Sequence, residues 1–134
     1  MANLKRVRQC IRMMQNAKNL NMLAWQRAPG ANRDSNEAKD TRTLHKCGNT
    51  ACFAGYLAIS PAFKAVGGRQ TRGGSPELGY AHGPSAVAEY LGISESLALD
   101  LVYCGREFYP VSVKEVKPEH VIAKLKLILS GELQ

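Results

Sequence analysis

Apolar positions recur at helical spacing along most of this 134-residue chain. Leu4, Val7, Ile11 and Met14 step by three and four, which predicts an amphipathic helix from about Asn3 to Lys18. The same spacing sets Lys5, Arg8 and Arg12 together on another face. Asn16, Asn19 and Asn21 weaken the helix and end it. Met22, Leu23 and Trp25 then form a short apolar anchor, with the Trp read as a core plug. Residues 27–46 are polar and mixed in charge, a long loop of the kind that carries function. A second apolar run predicts a helix from Asn49 or Thr50 to Ser60, capped by one of those two residues and stopped by Pro61. Gly55 lies in its middle, where a glycine costs helix stability and implies close approach to another backbone.

Residues 64–83 read as a second loop, with Gly67-Gly68-Arg69-Gln70-Thr71-Arg72-Gly73-Gly74 at its centre. Pro84 opens a helix that Gly92 ends. Ser94 caps another over about Glu95 to Tyr103, closed by Gly105. Lys117-Pro118-Glu119 begins the last, which carries Val121, Ile122, Leu125, Ile128 and Leu129 inward. No alternating strand set and no internal repeat stand out. The expected fold is mostly α: a single compact domain, residues 1–134, of five or six short helices with long polar loops at 27–46 and 64–83.

Length and an apolar content of 45% suit one folded core and exclude global disorder. No apolar run approaches the length of a membrane span, and no secretory signal follows the basic N-terminus. The expected location is the cytoplasm, with no membrane association and with reduced cysteines. Charge sharpens this picture. The formal net charge is +7, and ten of the 18 Lys and Arg but only three of the 11 acids lie in residues 1–46. Such a one-sided field draws nucleic acid, nucleotides or acidic protein surfaces, and it reads equally as solubility with a solvated helix face.

Three constellations could carry chemistry. His45, Cys47 and Cys52 supply three possible zinc ligands within eight residues, with His82, Cys104 or His120 as a fourth. Cys47 or Cys52, near a helix start, could act as a thiolate nucleophile with His45, His82 or His120 as its base. Against both stands the plainer reading of the Cys-Gly element as a helix start packed in the core. Ala86 to Ser94 has the look of the first helix and turn of a helix-turn-helix. Its second helix would offer Glu95, Ser96, Ala98, Asp100 and Leu101 to a groove, so a packed helical hairpin fits better. The glycine-bracketed Arg69 and Arg72 could hold a phosphate, although the spacing matches no phosphate-binding fingerprint.

Four elements in order resemble a set of small uncharacterised bacteriophage and bacterial proteins. These are Met22-Leu23-Ala24-Trp25, the run Cys47-Gly48-Asn49-Thr50-Ala51-Cys52-Phe53-Ala54-Gly55-Tyr56, Leu91-Gly92-Ile93-Ser94, and Pro118-Glu119-His120. The set carries Met-x-x-Trp and Cys-Gly-Thr-x-x-Cys-x-Ala-Gly; here Asn49 stands where Thr is usual. The resemblance implies a small intracellular protein, phage-encoded, that acts on a host component.

The functional expectation is a non-enzymatic accessory protein that binds an anionic ligand, a nucleotide signal or nucleic acid, and modulates a host process. Arg6, Arg8, Arg12, Arg69 and Arg72 would make the contacts. One alternative is an inhibitor of a host protein, such as a defence component, that wraps its target with residues 27–46. Another is a zinc- or thiol-dependent protein centred on Cys47 and Cys52. An exposed apolar face on the last helix would make a homo-oligomer interface. No cofactor is expected apart from the zinc alternative.

Overall fold

The protein is described here by a computed structural model covering residues 1–105 and 107–134. It is mostly α-helical. Among the described residues there are seven α-helices: α1 Leu4–Gln15, α2 Thr41–Cys47, α3 Phe53–Ala58, α4 Pro61–Ala65, α5 Pro84–Leu91, α6 Glu95–Tyr103 and α7 Pro118–Leu129. A 3-10 turn, Val113–Glu115, precedes α7.

The helix starts follow local chemistry. Asn3 caps α1 by accepting the Arg6 N–H at 3.1 Å, and Ser94 caps α6 through the Leu97 N–H at 3.1 Å. Pro84 and Pro118 each sit in a first turn, where a missing N–H costs nothing. Val7, Cys10, Ile11 and Met14 form the buried stripe of α1. That stripe packs most extensively on α7, whose Val121, Leu125 and Ile128 are buried. This face of α7 therefore serves the core. One core cluster joins α1, α3, α5, α6 and α7 through Phe53, Tyr56, Leu91 and Leu101 among others.

The expected helix count of five or six is corrected to seven, and both loops hold structure. Residues 27–46 contain α2, which starts where Asp40 accepts the Thr43 N–H at 2.7 Å. The helix expected from Asn49 to Ser60 divides. Residues Thr50–Ala51 form a short strand β2, antiparallel to β1 at Gln26–Arg27. Cys52, rather than Asn49 or Thr50, caps α3. Pro61 ends nothing; it opens α4, where Ser60 accepts the Phe63 N–H. Residues 64–83 finish α4 and fold into an antiparallel meander, β3 Arg69–Gln70, β4 Pro76–Leu78 and β5 Ala81–His82. These strands have two or three residues each, too short for alternation to show in sequence. Among the described residues no helix is long and apolar enough to cross a membrane.

Candidate functional site

The Cys47–Gly55 run is accounted for by folding. Gly48 ends α2 in the left-handed region, φ 74°, where a side chain would be strained. Asn49 is buried and donates its amide N–H to Gln26 Oε1 at 2.9 Å. Gln26, also fully buried, reads Ala38 like a strand neighbour: its Oε1 accepts the Ala38 N–H at 2.8 Å and its Nε2 donates to the Ala38 carbonyl at 3.1 Å. One side-chain amide thus ties the middle of the 27–46 segment to the start of the motif. Gln70 Nε2 donates to the same carbonyl at 3.1 Å, which adds the meander. Thr50 and Ala51 pair with Arg27 and Gln26. The Cys52 thiol accepts the Gly55 N–H at 3.4 Å. Gly55 itself lies against the Trp25 carbonyl so closely that a Cβ would overlap the oxygen.

The same geometry separates the supposed ligands. Cys52 is 2% exposed, and burial pushes its thiol up to about 12, which favours the neutral thiol over the thiolate. Cys47 is exposed on the last turn of α2. His45 Nε2 accepts the Lys18 N–H at 3.1 Å and the Tyr56 hydroxyl at 2.9 Å, while the Tyr56 oxygen accepts the Asn19 N–H at 3.0 Å. That nitrogen is committed as an acceptor, and desolvation, then the Lys18 charge, holds the His45 pKa below its usual value. Among the described residues no three His, Cys, Asp or Glu side chains converge as a metal site.

The five arginines fall into two sets with unlike environments. Arg6 is engaged: Nη1 donates to the Tyr90 carbonyl at 3.0 Å and the guanidinium lies 4.6 Å from the centroid of the Tyr90 ring, fastening α1 to α5. Arg69 on β3 pairs with Glu77, whose other oxygen lies 2.9 Å from His82 Nδ1. Arg72, in the turn between β3 and β4, is exposed. The glycine-rich segment is thus a pinned hairpin with half its positive charge neutralised. Arg8 and Arg12 share the solvent face of α1 with Lys5, opposite the buried stripe. None of these three side chains has an ion pair or hydrogen bond among the described residues, and α1 contains no acid.

Arg12 also lines an open groove of about 530 Å³ between α1, the start of α2 and the start of α4. Its accessible apolar part is Met13, Pro61 and Ala62, above the buried Cys10, Leu57 and Tyr90; its polar part is Gln9, Asn16 and Thr41. The thiol of Cys10 is pushed up to about 12 by burial and stays neutral there. Beside Thr41, the Asp40 carboxyl is held below its usual range first by the Thr43 N–H and further by the Lys64 and Arg42 charges. Lys64 and Arg42 were not singled out in the sequence, because α2 and α4, which carry them, were hidden inside supposed loops.

Two other surface features stand apart. A cavity of about 90 Å³ is lined by Leu23, Trp25, Asp34, Cys52 and Tyr103. Leu23, Leu99 and Tyr103 are 50%, 45% and 58% exposed beside it, and Trp25 meets Tyr103 edge-on at 5.9 Å. A wider groove of about 640 Å³ runs between the two chain ends and is lined by Leu4, Ile93, Ile128 and Leu133. No family model matches this chain, and no curated protein and no solved structure matches it either.

Proposed function

We propose that this is a non-enzymatic binding protein for a phosphate-bearing ligand, nucleotide or nucleic acid, held on the basic face of α1. The observation that carries the reading is the sign of that face: Lys5, Arg8 and Arg12 in line, no acid on the helix, and no internal partner. Arg8 and Arg12 are one turn apart, about 6 Å along the axis, a spacing that suits successive phosphates of a flexible strand. Arg6 and Arg69 leave the expected contact set, since each already has a partner within the fold. The resemblance to small bacteriophage proteins supports a role in a host cell, with the bound ligand drawn from the host.

Fluorescence anisotropy with labelled single-stranded and duplex oligonucleotides tests this. Wild-type affinity should fall with salt at a log–log slope of roughly −2 to −3, set by three cations. Arg8→Glu with Arg12→Glu should abolish binding, while Arg69→Ala should leave it unchanged. Salt-independent binding, or full affinity in the double variant, would refute the reading.

A second reading, binding of a host protein, is favoured by the exposed Leu23, Leu99 and Tyr103 with the half-buried Trp25. Residues 27–46 suit the wrapping role less well, because Gln26 holds their middle in place before any partner arrives.

A further inference from the structure

We infer that the groove between α1, α2 and α4 receives one nucleoside phosphate, with the phosphate on Arg12 and the base against Met13 and Pro61. This rests on the reading of α1 as a phosphate-binding face and assigns that face a pocket.

Three properties of the groove carry the inference together. Its volume, about 530 Å³, lies within the range of about 300–1,000 Å³ common to small-molecule sites. Its cation is at the rim, on the face where Lys5 and Arg8 continue the positive field. Its polar wall has open hydrogen-bonding capacity of both kinds. Gln9 uses its Oε1 to accept the Tyr90 hydroxyl at 3.0 Å, which leaves its two amide N–H groups. Asn16 uses its Nδ2 to donate to the Arg12 carbonyl at 3.0 Å, which leaves its oxygen. A flat heterocycle presents donors and acceptors on one edge and an apolar face, and this wall with its Met13 and Pro61 floor matches both.

The wider groove at the chain ends offers no charged side chain and suits such a ligand poorly. None of the three cavities described above is lined by Arg69 or Arg72.

A free nucleotide and an exposed nucleotide of a single strand share this chemistry, and the test separates them. Ala62, partly exposed on α4, lines the groove and carries no charge, so Ala62→Trp fills the space without changing the field. Isothermal titration with the four nucleoside 5′-monophosphates and triphosphates is run beside anisotropy with a labelled oligothymidylate. Thermal melting confirms that the variant folds. Nucleotide binding by wild type, lost by about tenfold or more in Ala62→Trp, supports the proposal with a free nucleotide as ligand. Oligonucleotide binding alone, weakened about tenfold by Ala62→Trp, supports it with a strand as the source. Equal oligonucleotide affinity in both proteins, with no nucleotide bound, overturns the groove assignment and leaves the basic face standing. No binding to any probe overturns both.

Discussion

Gly55→Ala should destabilise this protein, although the same change in an ordinary helix interior stabilises by about 0.5–1 kcal/mol. The reason is the Trp25 carbonyl. An added Cβ at position 55 would overlap its oxygen and also meet Ala51 Cβ at 3.1 Å. The carbonyl cannot swing away, because the backbone on either side is tied. The Cys52 N–H donates to the Ala24 carbonyl at 2.9 Å, and Gln26 pairs with Ala51. Overpacking of this kind costs about 1–3 kcal/mol. Relief by moving the strand would sacrifice one or two backbone hydrogen bonds at about 1 kcal/mol each. Setting either cost against the helix-propensity gain leaves a net loss of about 1 kcal/mol, a fall in Tm of roughly 3–5 °C for a domain of this size. Urea unfolding followed by circular dichroism reads the loss as a lower midpoint with an unchanged slope. Gly73→Ala is the control, since nothing lies within 4 Å of a Cβ there, and it should move stability by about 0.5 kcal/mol or less. A Gly55→Ala protein as stable as wild type would refute the argument that the glycine answers to Trp25.

Gln26→Leu should cost about 3 kcal/mol, because it leaves the Ala38 N–H and the Asn49 amide buried without an acceptor; trypsin should then cut faster at Arg33 and Lys39. Stability should fall as pH drops below about 6.5, because the unfolded chain binds a proton at His45 that the folded one resists. That slope is the difference between wild type and His45→Gln in urea midpoints from pH 5 to 8, and identical slopes would contradict the buried-acceptor geometry. A thiol reagent should modify Cys47 within the native state and reach Cys10 and Cys52 only on unfolding, measured by mass spectrometry of timed aliquots.

The long helices were legible because each repeats its pattern over two turns or more. Val7, Ile11 and Met14 announce α1, and proline starts announce α5 and α7. Gly55 announced a close approach, and the structure supplies the partner in Trp25. What escaped the sequence was short or long-range. The helix α2 has seven residues and a single buried one, Leu44, so it shows no stripe. The helix α4 has five and hides behind a proline that reads equally as a stop. Gln26 and Ala38, twelve positions apart, carry no local sign that an amide is to be buried.

This division bears on function. The Cys-Gly run drew notice because cysteine, histidine and glycine together resemble a site. Each residue of it from Gly48 to Gly55 whose bonding is described has a role in ending a helix, pairing a strand or admitting a carbonyl. Such roles constrain a chain as tightly as chemistry does, so a dense motif is no sign of reactivity by itself. Charge behaves in the opposite way. Five arginines look alike in sequence, and only the fold sorts them: Arg6 and Arg69 meet a ring, a carbonyl and a carboxylate, while Arg8 and Arg12 face solvent from a helix without acids. Arg12 also lies in the last turn of α1, where its charge suits the helix dipole. These two in line with Lys5, the second at the mouth of a groove, are the cations that the proposed ligand would engage.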